Sequence, residues 1–357
     1  VAETLRAARQ PRSSRPQAAC GGQSLPSDVT ARARALIAER LPDARGLGEA
    51  LADAIDYPEE FTAALRDGLM RLADDDYRRE QDRVVPGEHA AMGVRQPFIA
   101  AVMRQLKPRL RDTSPALALN LAERLASESE REFVFFVQLA LERVLPTDPE
   151  RAWQLMRRLA RRADDWIKVD SLASLYAKGI LAERVRWAEI EQLVFSRSEW
   201  ERRLVCSTIA TLPFEVARER RRDLARVPAL DLIRSLIGDN SETVLTSLSW
   251  ALRSWREVDP RGVDELLRAE ARRAAETNDG NRAWVIRDAL KEQRTAVEAP
   301  TAAQIKTLLA GVRRTSNNAA STSDAAQIAG RFVGLDGMSD AAVGIQGERQ
   351  RGGVVNG

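Results

Sequence analysis

Asp170 stands four residues after Trp166 in the run Asp164-Asp165-Trp166-Ile167-Lys168-Val169-Asp170, and three Trp-x-x-Arg units follow: Trp200/Arg203, Trp250/Arg253 and Trp284/Arg287. On a helix, residues three or four apart share a face. Each unit therefore sets an aromatic plate beside a guanidinium, and the first site sets one beside a carboxylate. Aromatic and arginine side chains on one surface suit nucleic acid. A carboxylate inside such a surface repels phosphate, so its presence asks for a chemical reason.

Two readings of Asp170 stand side by side. One is an ordinary ion pair with a neighbouring arginine. The other is catalysis at a glycosidic carbon. Cleaving an N-glycosidic bond develops positive charge on the deoxyribose as the base leaves. A carboxylate near C1′ stabilises that oxocarbenium-like state and can position a water, and aromatic faces beside the sugar help by the same electrostatics. O-glycosidases commonly need a second carboxyl group to protonate the leaving group. A base alkylated at N3 or N7 of a purine is already cationic and leaves without protonation, so one aspartate suffices.

These residues need elements to carry them. Between about residues 28 and 313, Leu, Ala, Val and Ile recur at three- and four-residue spacings with Arg and Glu between them, which predicts helices almost throughout and no strands. The expected helices include 28–41, 58–73, 97–111, 114–126, 129–145, 147–162, 164–180, 185–195, 199–210, 213–223, 228–237, 241–256, 260–275, 279–293 and 301–313. Pro149 marks one start, and Asp164 and Ser241 are expected N-caps. Trp166 to Trp200 is 34 residues, Trp200 to Trp250 is 50, and Trp250 to Trp284 is 34. That spacing suits an all-α fold: an α-solenoid of HEAT-like helical repeats with a concave basic channel. Residues 1–27 and 314–357 read as disordered tails, with Phe332-Val333 as a short apolar patch in the second. Residues 28–57 read as extra N-terminal helices, and 58–313 as the repeat domain.

Composition narrows the chemistry. The chain has 357 residues, a net charge of +3, a single histidine (His89) and two cysteines, Cys20 and Cys206. No disulfide framework, zinc spacing or multi-histidine metal site follows from that set, and no cofactor is expected. No apolar run has transmembrane length, and no secretory signal is expected. A reducing cytoplasmic setting and a monomer are the expectations.

Fifty of the 55 basic residues are arginine, and Arg makes bidentate phosphate contacts that Lys cannot. They cluster as Arg157, Arg158, Arg161 and Arg162; as Arg197, Arg202 and Arg203; and as Arg218, Arg220, Arg221, Arg222 and Arg226. Solvated helix faces with intrahelical glutamate partners would explain such runs. A phosphate-binding surface with salt-sensitive affinity would also explain them. Trp153, Trp187 and Trp255 are assigned to packing. Trp166, Trp200 and Trp250 are ligand-facing candidates because each has a charged partner on its own face, and Trp284 is left open between the two.

The stretch Trp166-Ile167-Lys168-Val169-Asp170-Ser171-Leu172, with Trp200-Glu201-Arg202-Arg203 and Ser249-Trp250-Ala251-Leu252-Arg253, resembles the AlkD-like DNA glycosylases, bacterial HEAT-like repeat proteins of alkylation repair. Met92-Gly93-Val94-Arg95-Gln96-Pro97 is similar to that family's Gly-x-x-x-Pro segment, and Glu130-Arg131-Glu132-Phe133 to the helix start after it. The ordered set runs from about residue 58 to 293. The resemblance implies a nucleoid-associated bacterial protein that acts on double-stranded DNA containing alkylated bases. It implies a glycosylase for cationic purines of the 3-methyladenine and 7-methylguanine type, recognising the lesion through the backbone without a deep base pocket; a monofunctional enzyme is expected from the lack of a suitable lysine nucleophile, with Lys168 keeping the alternative open. Asp170 would take the catalytic position, with Trp166 and Trp250 flanking the lesion's sugar. Arg203, Arg253, Trp200, Lys168, Arg95 and Gln96 would contact DNA. Where family members carry an aromatic or Asn before the first Trp and a carboxylate after it, this chain has Asp165 and Ile167. Two other readings remain beside the enzyme: an inactive DNA-binding helical stack for distorted or branched DNA, and a protein-interaction scaffold.

Overall fold

The computed structural model describes residues 27–85, 91–291, 299–314 and 320–330. Among these residues the chain is all-α. In order the helices are α1 (Ser27–Asp53), α2 (Pro58–Leu72), α3 (Asp75–Val84), α4 (Gln96–Asp112), α5 (Pro115–Leu125), α6 (Phe133–Val144), α7 (Pro149–Arg162), α8 (Trp166–Ala182), α9 (Arg186–Leu193) and α10 (Glu199–Thr211). Two 3-10 segments follow, Leu212–Phe214 and Arg218–Arg226, and then α11 (Ala229–Leu236), α12 (Glu242–Trp255), α13 (Pro260–Thr277), α14 (Gly280–Ala289) and α15 (Ala299–Leu308). Among the described residues no helix is long and apolar enough to cross a membrane.

The helices stack in two rows. In the first row α1 packs on α4, α4 on α6, α6 on α8, α8 on α10, α10 on α12 and α12 on α14. In the second row α2 packs on α5 and α5 on α7, and further along α11 packs on α13 and α13 on α15. Sequence explains the division. Second-row helices are one-sided. In α7, Ala152, Trp153, Leu155, Met156 and Ala160 are buried, a spacing that makes one apolar stripe with arginines opposite. First-row helices are enclosed on more sides: every residue from Arg203 to Ala210 of α10 is buried.

Helix starts carry the punctuation that physics requires. Proline occupies the first turn of α2, α5, α7 and α13, where its missing N–H leaves no bond unmade. Ser114, Asp148, Asp259 and Asp279 cap the helices that follow them through side-chain oxygens. The cap of α8 is Asp165, whose carboxylate accepts from the Lys168 N–H. It is not Asp164, the expected residue, whose carboxylate pairs with the Lys168 ammonium. Ser241 holds the cap position of α12 without a side-chain bond.

The structure corrects several boundaries. Residues 27–53 form one helix packed on α4, so the expected extra helices are a single element of the first row. The expected helix 213–223 is a pair of 3-10 segments. Pro213 stands at its start, residues 215–217 break it, and Arg218 and Arg222 would stack like charges on one α-helical face. Helix α3 was not foreseen. Its sequence has no apolar period, and it rests on the Asp74 cap and on ion pairs of Arg78 and Arg79 one turn back.

Part of the expected C-terminal tail is also ordered. Residues 320–330 return to the body, and 324–330 are helical. The Thr322 N–H donates to the Gly238 carbonyl at 2.9 Å, and Arg273 pairs with Asp324 at 2.6 Å. Gly238 has φ +100° and lies so close that a Cβ would sit 2.5 Å from Thr322 Oγ1, so only glycine fits. Residues 1–26 and 331–357, with Cys20 and Phe332-Val333, lie outside the described residues, as does His89.

Candidate functional site

The first-row helices α8, α10, α12 and α14 each carry one half-buried tryptophan, at positions 166, 200, 250 and 284. Trp153, Trp187 and Trp255 are buried, as their assignment to packing requires. Trp153 lies under the Arg186 guanidinium and hands its indole N–H to Glu189 at 2.8 Å.

Asp170 points across to α10. Arg203 grips its carboxylate with two parallel bonds, Nε to Oδ1 at 3.0 Å and Nη2 to Oδ2 at 2.8 Å. Ser207, one turn further along α10, donates to Oδ1 at 2.6 Å. The two charged side chains are only 9% and 10% exposed. A carboxylate offers about four acceptor positions. Three are filled, and the fourth belongs to Oδ2.

Arg203 was expected at a DNA phosphate. Its guanidinium is engaged within the protein. Beyond Asp170, its Nη1 donates to the Thr243 carbonyl at 2.7 Å and reaches the Thr243 and Thr246 hydroxyls at 3.1 Å. Arg203 thereby ties α8, α10 and α12 together. Trp200 lies one turn before Arg203, and Trp250 one turn after Thr246, so the bonds from Arg203 to Asp170 and Thr246 join the three helices that carry Trp166, Trp200 and Trp250.

A second cluster of the same composition lies on the other side of α12. Arg253 Nη1 bonds the Asp288 carboxylate at 2.8 Å and the Asp288 carbonyl at 3.0 Å. Ser249, one turn before Arg253, donates to the same carboxylate at 2.6 Å. Burial pushes the Asp288 carboxyl up, but the bonds from Ser249 and Arg253 outweigh it and hold the group below the ordinary range. The Nε and Nη2 edge of Arg253 has no bond among the described residues. Asp288, Ser207 and Ser249 were not anticipated. The signal was present: Trp284-x-x-x-Asp288 repeats the spacing of Trp166-x-x-x-Asp170.

The remaining candidates are placed as follows. The Lys168 ammonium lies on Asp164 at 2.5 Å, with Asp165 at 3.7 Å. Arg95 forks Asp74 at 3.0 and 2.7 Å and lies over the Tyr77 ring at 4.6 Å. Gln96 is exposed at the start of α4. Arg287 closes the end of α15 through the carbonyls of Leu309 and Val312.

The segments around Arg95 and Asp170 are joined from below. Glu132, at the start of α6, accepts the N–H groups of Met92, Gly93 and Val94 at 2.9, 2.9 and 3.2 Å. Its neighbour Arg131 donates to the α8 cap Asp165 at 3.3 Å, with both side chains buried. The residues 92–97, 130–133 and 164–170 thus form one connected frame. Two cavities, of about 530 and 360 Å³, lie against α11 and α13 and between α5 and α7, and neither is lined by Asp170 or by any of the four half-buried tryptophans. Among the described residues no group of three or more His, Cys, Asp or Glu side chains could hold a metal ion.

Two rows of stacked helices, one of them bearing indoles beside arginine-held aspartates, define an all-α stack with a polar, one-sided site. The segment from residue 65 to 293, nearly two thirds of the chain, matches the family model described as DNA alkylation repair enzyme, and the chain belongs to that family. The match begins within α2 and ends just past α14, so it spans every residue of the two clusters. No curated protein matches the chain.

Proposed function

We propose that the protein is a monofunctional DNA glycosylase that removes cationic alkylated purines, of the 3-methyladenine and 7-methylguanine type, from duplex DNA. The observation that carries this reading is the state of Asp170. It is fixed by three donors, it keeps one acceptor position on Oδ2, and it lies one turn from the half-buried Trp166.

In this reading the C1′–N bond of the lesion breaks with its electron pair going to the base, which departs neutral. The positive charge left on the sugar is met by Asp170 and by the faces of Trp166 and Trp250. A water hydrogen-bonded to Oδ2 adds at C1′, and its proton passes to solvent. Because Arg203 and Ser207 hold the carboxylate before substrate arrives, no reorganisation is needed as charge develops. Arg203 is thus a positioning residue for Asp170. Arg253, with its unclaimed edge, is the phosphate contact, assisted by Trp200, Lys168, Arg95 and Gln96.

The test is base release. Wild-type protein incubated with methylated duplex DNA should liberate free 3-methyladenine or 7-methylguanine and leave abasic sites. DNA binding without release would support the second reading, a non-catalytic binder of distorted DNA.

A further inference from the structure

The tryptophan spacing breaks once. Trp200 to Trp250 is 50 residues where its two neighbours are 34, an excess of sixteen. Part of the excess is the later place of Trp250 in its helix; between helix starts α10 to α12 spans 43 residues against 33 from α8 to α10 and 38 from α12 to α14, and this remaining excess falls in the two 3-10 segments between α10 and α11, residues 212–228. This insertion contains five arginines. Two of them are engaged. Arg221 pairs with Glu257 at 2.5 Å and lies over the Phe214 ring at 5.3 Å, and Arg220 reaches Asp223 at 3.6 Å. Arg218, Arg222 and Arg226 are exposed, and among the described residues none pairs with them.

The anchors of the insertion say where it sits. Glu215, at its start, accepts from Ser174 at 2.6 Å, and Ser174 lies one turn after Asp170 on α8. Arg221, in its middle, is held by Glu257, which lies one turn after Arg253 of α12. Leu224 is buried beneath the second segment. The insertion is therefore fastened along the edge of the same helices that carry both clusters, one turn beyond each. Three-residue turns also serve the charges. In an α-helix Arg218, Arg222 and Arg226 would stack on one face and repel, whereas in a 3-10 helix four residues rotate the side chain by about 120°. The three guanidinium groups are spread apart and left to solvent.

We infer that residues 212–228 are a nucleic-acid-binding rim, in which Arg218, Arg222 and Arg226 take the phosphates of duplex flanking the site. The inference rests on the proposed DNA reading and extends it. Charge complementarity names the partner: a free guanidinium matches a phosphate oxygen pair bidentately. Continuity with the row bearing Asp170 and Arg253 names the place. A solvated charge run would be expected to carry its own acidic partners, as Arg220 does.

The experiment measures the affinity of the full chain for a fluorescein-labelled duplex at several KCl concentrations. The variant is Arg218→Gln/Arg222→Gln/Arg226→Gln. A charge-matched control, Arg261→Gln/Arg268→Gln/Arg272→Gln, lies on α13 in the second row. Each phosphate contact contributes about 0.9 to the slope of log affinity against log salt, so losing three should flatten the slope by about 2.7. A fourfold rise in salt should then cost the variant roughly 40-fold less affinity than it costs the wild type. The control should keep the wild-type slope. A variant slope equal to wild type, or an equal loss in the control, overturns the rim. Wild-type binding that ignores salt overturns the DNA reading itself, and so separates the two failures.

Discussion

Replacing Arg203 by methionine keeps the aliphatic stem and removes the guanidinium. Asp170 then loses two of its three donors, and Thr243 loses a donor to its carbonyl. The pair is nine-tenths buried on both sides. Breaking such a pair by deleting one partner costs about 3–5 kcal/mol, because the remaining charge is left uncompensated. In a domain of this size that lowers Tm by on the order of 10 °C. The informative comparison is a cycle with Asp170→Asn. The double variant leaves no unpaired charge, so its loss should fall short of the sum of the single losses by at least about 2 kcal/mol. Urea unfolding of the wild type and the three variants measures this directly. Additivity within about 0.5 kcal/mol would mean the two residues are not one unit. The claim that Arg203 positions Asp170 would then be wrong.

Other expectations follow from single residues. Asp288 has a depressed carboxyl, so its contribution to stability is complete above the ordinary value of 3.8 and is lost as pH falls through the lower folded value. In Ser249→Ala the Asp288 titration, followed by carbon-13 NMR, should move upward; no movement would contradict the role of Ser249. Cys206 is fully buried and its thiol is pushed up to about 12 by burial. In a Cys20→Ser background it should stay unreactive to a disulfide reagent in native buffer and react on unfolding, and fast native labelling would contradict its burial. Gly179→Ala would put a Cβ 2.6 Å from the Trp153 ring. Overpacking of this kind should cost about 1–3 kcal/mol by denaturant unfolding, and an unchanged midpoint would show that the α7–α8 contact gives way.

The sequence made the helices and the Asp170 motif legible because both are local. Apolar spacing reports which face of a helix is buried, and the Trp166–Asp170 interval reports that two side chains share a face. Neither reports what the next helix offers. Arg203 was read beside Trp200, its neighbour on α10, whereas its principal partner lies 33 residues earlier on α8. The same limit hid Asp288. Trp284 fits Trp-x-x-Arg with Arg287 and Trp-x-x-x-Asp with Asp288 equally well, and only the packing of α14 on α12 decides between them. Asp165 looked like a departure from the family pattern, but its role is the buried cap of α8, held by Arg131. The family match over 65–293 then supports the resemblance drawn from those short motifs, at the level of alkylation repair.

The claim on which the account turns is that Asp170, already held in place, supports departure of the damaged base. Its most direct test is single-turnover excision from a duplex bearing one 7-methylguanine, read as abasic-site cleavage, for wild type and Asp170→Asn at saturating protein. The account predicts that wild type converts the strand, while the variant, folded and still bound to the duplex, converts it at least about 100-fold more slowly. Equal rates for the two proteins would contradict it.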